Sequence, residues 1–154
     1  MSAAEVIDAL KACGWRLATA ESCTGGMIAA AITDVAGSSS VFDRGFVTYS
    51  NAAKTQMLAV MPETLEAQGA VSEAVAAEMA AGALTRSDAD IAVSVTGIAG
   101  PGGSEHKPEG RVCFGLATEG GVTVETVEFG PRGRDAVRRA SVDHALGMVL
   151  KAAR

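Results

Sequence analysis

Behind Ser2, the apolar residues Val6, Ala9, Leu10 and Cys13 recur at the three-to-four spacing of one helix face. Ser2-Ala3-Ala4-Glu5 has the form of a capping box, in which a hydroxyl and a carboxylate satisfy the first free helical N–H groups. Gly14 supplies the left-handed stop. The apolar spacing then tightens to a short strand-like run over residues 16–20 and reopens as an Ala-rich helix over about residues 27–33. Residues 45–50 read as a second strand, with Asn51 capping a helix that carries Lys54, Met57 and Leu58. Pro62 opens a short helix that stops at Gly69, and a longer Ala-rich helix runs from Ser72 to about Arg86 with Val75, Met79 and Leu84 on its apolar side. Residues 91–95 are continuously apolar, the pattern of a strand buried on both faces. Residues 111–118 and 122–129 flank Glu119-Gly120-Gly121 as a hairpin, and a last helix covers about residues 133–152. Strands alternating with helices, plus one hairpin, predict an α/β fold: a three-layer α/β/α domain with a mixed β-sheet.

Composition narrows this further. Glycine makes up 18 of 154 residues, about 12% against an average near 7%, yet only 4 prolines and no G-x-y period accompany it. Collagen-like and low-complexity chains are therefore excluded, and the surplus must sit at turns, close contacts or ligand loops. With 4% aromatic residues the core must be built from aliphatic and small side chains. The length suits a single domain over residues 1–154. A net charge of −5 without long like-charge runs disfavours nucleic acid and anionic membrane as partners. The longest apolar run, Met27 to Ile32, is far below the roughly 20 residues a bilayer span needs. An acidic N-terminus predicts no secretion signal, and Cys13, Cys23 and Cys113 without CxxC spacing predict reduced thiols in the cytoplasm. His106 and His144 are isolated, so neither a metal site nor a cofactor is expected.

Four segments carry candidate chemistry. In Thr19 to Gly26 a strand ends, hydroxyl residues sit on the turn, Gly25 and Gly26 follow, and a helix begins. Such a turn can cradle a phosphate, or present Ser22 as a nucleophile with nearby N–H groups as an oxyanion hole, or use Ser22 or Thr24 merely as a helix cap. In the second segment the only tyrosine, Tyr49, stands at a strand end and Lys54 on the first turn of the next helix. There the helix dipole and partial burial would both favour the neutral amine that a Ser–Lys pair needs; the plainer reading is a solvated lysine and an edge tyrosine. Third, Gly97, Gly100, Gly102 and Gly103 follow the buried strand, where open α/β sheets bind ligands. This loop has neither GxGxxG nor P-loop form, which disfavours a dinucleotide site and ATP hydrolysis. Last, Arg132, Arg134, Arg138 and Arg139 surround the start of the final helix, where basic charge opposes the dipole; a phosphate, interface carboxylates or plain solvation would explain them. Cys23 reads as a small buried thiol, and His144 as a core or interface residue.

Taken together, Ala20-Glu21-Ser22-Cys23-Thr24-Gly25-Gly26, Gly37-Ser38-Ser39, Arg44 to Asn51 with Lys54, Gly69-Ala70-Val71-Ser72-Glu73 and Gly97-Ile98-Ala99-Gly100-Pro101 resemble the CinA C-terminal domain family over nearly the whole chain. Its stand-alone members are PncC-type nicotinamide-nucleotide amidases. The resemblance implies hydrolysis of the nicotinamide mononucleotide carboxamide to nicotinate mononucleotide and ammonia, in pyridine-nucleotide salvage. It also implies Ser22 as nucleophile, assisted by Tyr49 and Lys54, and substrate contacts from Thr24, Gly25, Gly26, Ser39, Gly97, Gly100, Gly102, Gly103 and Arg134. A nucleotide substrate and a homo-oligomer are the partners it implies. The alternative is a non-catalytic nucleotide-binding or competence-related regulatory module. Gly100-Pro101-Gly102-Gly103-Ser104 is one residue shorter than the family's usual loop. The resemblance does not extend to the MoaB-like N-terminal domain of full-length CinA proteins, so the pyrophosphatase chemistry of that half is not expected.

Overall fold

A computed structural model describes residues 2–154. Five strands form one mixed sheet: β1 (Leu17–Glu21), β2 (Phe42–Val47), β3 (Ile91–Gly97), β4 (Arg111–Thr118) and β5 (Gly121–Glu128), in the order β2-β1-β3-β4-β5. β2, β1 and β3 run parallel, and the hairpin β4–β5 adds antiparallel beyond β3. Six helices cover the two faces: α1 (Ala3–Cys13), α2 (Met27–Thr33), α3 (Asn51–Leu58), α4 (Pro62–Gln68), α5 (Glu73–Thr85) and α6 (Arg134–Ala153). The predicted α/β fold with three layers and a mixed sheet is the one observed.

Side-chain alternation along the central strands divides the core. Leu17, Val93, Val95 and Phe114 point into the layer of α1, α2 and α6, where Leu10, Ile28, Ile32, Leu146 and Val149 join them. Ala18, Ala20 and Ala92 face the other way, onto Leu58, Val75 and Met79 of α3 and α5. Full burial of each large aliphatic side chain stabilises the fold by roughly 1.5–3 kcal/mol. On the α5 side the small residues serve close approach. A Cβ at Gly115 would stand 2.5 Å from the Ala76 carbonyl oxygen, so only glycine lets α5 sit this low on β4. Part of the glycine surplus therefore packs helix on sheet rather than lining a ligand loop.

Local signals hold with three adjustments. The Ser2 hydroxyl accepts the Glu5 amide at 3.3 Å, but it also donates to the Glu5 carboxylate, so the reciprocal half of the capping box is made to the hydroxyl. A short 3-10 turn, Ser38–Ser40, precedes β2, which starts at Phe42 instead of residue 45. Its polar start was hidden because Asp43 is held by Arg16, Arg44 and the Asp88 amide at the sheet edge. The strand ends at Val47, and Ser50 rather than Asn51 caps α3, its Oγ accepting the Ala53 amide at 3.0 Å.

The order β2-β1-β3 means that the chain leaves β1 toward one neighbour and later returns to its other side. The crevice beyond the carboxyl end of β1 is thus the switch point at which open α/β sheets bind ligands. Glu21, Val47 and Val95 are register partners at that end, so Ser22, Thr48-Tyr49 and the loop after Gly97 emerge together. No helix among the described residues is long and apolar enough to cross a membrane.

Candidate active site

Ser22 continues the ladder one step past β1, its amide donating to the Val95 carbonyl at 3.0 Å. The chain then turns tightly: the Gly25 amide donates to the Ser22 carbonyl and the Met27 amide to the Thr24 carbonyl, both at 3.0 Å, and α2 begins. Glu21, fully buried, holds this turn from behind. Its carboxylate accepts the Thr24 hydroxyl at 2.6 Å and the Ile28 and Ala29 amides at 2.9 and 3.1 Å. A carboxylate at the positive end of α2 satisfies the free amides that a phosphate would otherwise seek. The Ile28 and Ala29 amides are therefore not available to a phosphate. The Thr24 side chain, Gly25 and Gly26 shape the turn and do not line the cavity in front of Ser22.

Lys54 reaches the same point from α3. Although its Nζ lies 2.9 Å from Ser22 Oγ, the side chain is only 1% exposed. Nζ also donates to the Thr48 carbonyl at 2.9 Å and the Tyr49 carbonyl at 3.3 Å. Burial pushes the Lys54 pKa down from its ordinary 10.5, while nearby Cys23 and Glu105 pull the other way. The two carbonyls can only accept, so when the amine is neutral they take its two N–H bonds and its lone pair faces Ser22 Oγ. Cys23, beside the serine, is 5% exposed, and burial raises its thiol to about 11, so it stays protonated and weakly nucleophilic at neutral pH.

Tyr49 and the glycine loop form the outer wall. Arg134, the first residue of α6, donates to the Tyr49 phenol oxygen at 2.8 Å and to the Gly100 carbonyl at 2.7 Å. Because the phenol oxygen accepts from Arg134, its own O–H remains free to donate into the cavity. Glu109 ties the loop to the same helix, accepting the Gly102 amide at 2.7 Å and the Gly133 amide at 2.9 Å. Gly100 has φ +94°, a conformation that favours glycine, and a Cβ there would stand 2.5 Å from the Glu109 carboxyl carbon and push that side chain aside. The cavity, open to solvent, has a volume of about 310 Å³.

Ser22, Tyr49, Lys54, Gly97, Gly100, Gly102, Gly103 and Arg134 all line this cavity. Ser39 does not. It is exposed in the 3-10 turn just before β2, at the end of the sheet where Leu17 pairs with Phe42. That is about 15 Å of strand from Ser22. The four arginines share no common anion: Arg139 pairs with Asp135, Arg132 lies over Phe129, Arg138 binds the Cys23 carbonyl, and Arg134 joins the wall. Glu105 and Glu109 escaped the sequence reading, while Glu21 appeared only within its motif and Arg138 only as one of four arginines, because their partners lie outside the spacings of familiar caps. Only the position of Glu21 directly before the serine offered a signal.

Glu105 also lines the cavity and helps to hold the Lys54 pKa up. Replacing it by glutamine removes that support. If Lys54 must be neutral to act, the acid limb of kcat/KM against pH is expected to move to lower pH in Glu105→Gln. A limb that stays put or moves upward would contradict Lys54 as the titrating base.

The same arrangement of chain recurs in known proteins. The CinA C-terminal domain family profile matches residues 1–153. The nicotinamide-nucleotide amidohydrolase PncC of Escherichia coli K12 is 57% identical over 143 residues, covering 92% of this chain and 87% of that protein. A CinA-like protein of Chlorobium phaeobacteroides is also 57% identical, this chain spanning 35% of its length. The crystal structure of the competence/damage inducible protein CihA from Agrobacterium tumefaciens superposes with a TM-score of 0.95 at 49% identity, over 99% of this chain and 93% of that one. Sequence, fold and the order of the site-bearing segments agree: this chain belongs to the CinA C-terminal domain family.

Proposed function

We propose that this chain hydrolyses the carboxamide of nicotinamide mononucleotide to nicotinate mononucleotide and ammonia, with Ser22 as nucleophile. The observation that carries the reading is the buried contact between Lys54 Nζ and Ser22 Oγ at 2.9 Å, since a desolvated amine there has no evident structural use. The strong similarity to a protein named nicotinamide-nucleotide amidohydrolase supports the choice of substrate.

Lys54 Nζ accepts the Ser22 proton as Oγ bonds to the carboxamide carbon, whose π electrons move to oxygen. Among the described residues, the Cys23 and Thr24 amides donate to no other residue, and they are the donors for that oxyanion. Collapse breaks the C–N bond. The proton held on Lys54 returns through the Tyr49 hydroxyl to the leaving nitrogen, which departs as ammonia. Water then attacks the Ser22 ester, Lys54 takes one of its protons and hands it to Oγ as the ester C–O bond breaks, and the acid leaves as carboxylate, its remaining proton passing to ammonia or solvent. Gly97, Gly100, Gly103 and the spare N–H donors of Arg134 face the ribose 5′-phosphate, while the Gly102 amide is already engaged by Glu109. The Thr24 side chain, Gly25 and Gly26 act through the shape of the nucleophile's turn.

Pure protein incubated with nicotinamide mononucleotide is expected to release ammonia, and with free nicotinamide to release far less, because the phosphate contacts would be missing. Equal rates on both would mean an amidase of a different substrate. Binding of the mononucleotide without ammonia release would identify a non-catalytic nucleotide-binding module.

A further inference from the structure

Arg138, half-buried in the second turn of α6, does not line the cavity, yet its guanidinium is spent entirely on the turn that carries the nucleophile. Nε donates to the Cys23 carbonyl at 3.0 Å and Nη2 to the Thr24 carbonyl at 3.4 Å. Each of these carbonyls belongs to a peptide unit of the turn that carries Ser22. The Cys23 carbonyl shares its peptide with the Thr24 amide. The Thr24 carbonyl shares its peptide with the Gly25 amide, which donates to the Ser22 carbonyl at 3.0 Å, and that carbonyl in turn shares its peptide with the Cys23 amide. Two short relays therefore start at one positive charge and end at the Cys23 and Thr24 N–H groups, which donate to no other residue among those described.

From this connectivity we infer that Arg138 is a positioning residue that polarises the oxyanion-binding amides of the Ser22 turn. Hydrogen bonds in series strengthen one another by about 10–30% each, and a charged donor at the head makes the first bond roughly twice as strong as a neutral one. The gain appears when negative charge develops on the substrate oxygen, so it belongs to the transition state and not to the planar ground state. Gly25 fits the same device: a Cβ there would lie 3.3 Å from Nη2 and press the guanidinium off its carbonyl. Arg138 and the buried Glu21 thus clamp opposite polar ends of one turn, the cation on its carbonyls and the carboxylate on the amides that follow.

The inference rests on the Ser22 reading, and the test separates the two. The substitutions are Arg138→Met, which keeps the aliphatic stem, and Arg138→Lys, which keeps the charge without the forked donor. Three quantities are compared in each: kcat and KM for nicotinamide mononucleotide, affinity for the planar product nicotinate mononucleotide, and affinity for pyridine-3-boronic acid, which becomes tetrahedral on bonding to a serine oxygen. Arg138→Met is expected to lower kcat and boronate affinity together by about 10–100-fold, with KM and product affinity within about twofold of the parent. Arg138→Lys is expected to recover part of the loss. Should Arg138→Met not fold, the lysine variant alone decides, because a falling boronate-to-product affinity ratio still reports the polarisation. Unchanged kcat, or equal losses of boronate and planar-ligand affinity, would overturn the role of Arg138. Absence of any boronate adduct on the Ser22 oxygen of the parent protein would instead overturn the nucleophile.

Discussion

Ser22→Ala is expected to release ammonia from nicotinamide mononucleotide at least ~10³-fold more slowly than the parent protein, while still binding the nucleotide. The reason is the absence of a substitute. Cys23 is the next side chain along, but burial raises its thiol to about 11, and the Lys54 amine points at Ser22 Oγ. Removing Oγ deletes one hydrogen bond of a nearly buried side chain and leaves Lys54 bonded to the Thr48 and Tyr49 carbonyls. The stability change should stay within about 1 kcal/mol. Single-turnover ammonia release together with a denaturation midpoint checks both halves. A variant that keeps most of the rate would show that Ser22 is no nucleophile.

Lys54→Met has the second large effect, and it separates charge from packing. Methionine fills nearly the same buried volume without the amine, so activity should fall by about 10²–10⁴-fold with the fold retained. Lys54→Arg should not rescue it, because a guanidinium stays protonated and cannot take the serine proton. Lys54→Ala is the less informative choice: at a position 1% exposed it would leave a cavity and lower stability as well.

Stability against pH gives an independent reading of the same group. Folding lowers the Lys54 pKa below 10.5, so between the folded value and 10.5 the unfolded chain binds the additional proton. The contribution of Lys54 to stability is therefore complete above 10.5 and is lost as pH falls through that interval to the folded value. Measured against Lys54→Met, the parent protein should gain stability as pH rises from neutral toward about 10, in paired denaturant titrations. A difference that stays flat over that range would mean an amine that is charged in the folded state.

The elements of the fold were largely legible because their signals are local. Ser2, Ser72 and Gly14 mark helix ends through bonds made within a turn, Pro62 does so through its fixed φ, and the apolar run before Gly97 could only be an interior strand. The start of β2 was not legible, since Asp43 and Arg44 look like loop residues until Arg16 and Asp88 are brought beside them. The site divides in the same way. Ser22 on its turn and the glycines after β3 stood out as residue types in suggestive places. Glu109 did not, and Arg138 showed only as one of a basic cluster, because each acts on backbone groups supplied by a different part of the fold. Ser39 shows the reverse: it stands in a recognisable motif, and the single chain folds it to the far end of the sheet.

By itself, then, the sequence determined the layers, the strand order's raw material and a serine presented where a strand gives way to a helix. Periodicity and turn chemistry are properties of neighbouring residues and survive without knowledge of the rest. What the tertiary structure alone decided is that Lys54 stands buried against that serine. The two lie 32 residues apart and meet because β1 and β2 pair in parallel and end together. A lysine becomes a neutral base only when water is removed from every side and its N–H bonds find carbonyls. Those conditions are set by side chains and backbone gathered from β1, α3 and the loops beyond β2 and β3, which no local pattern in the chain can express.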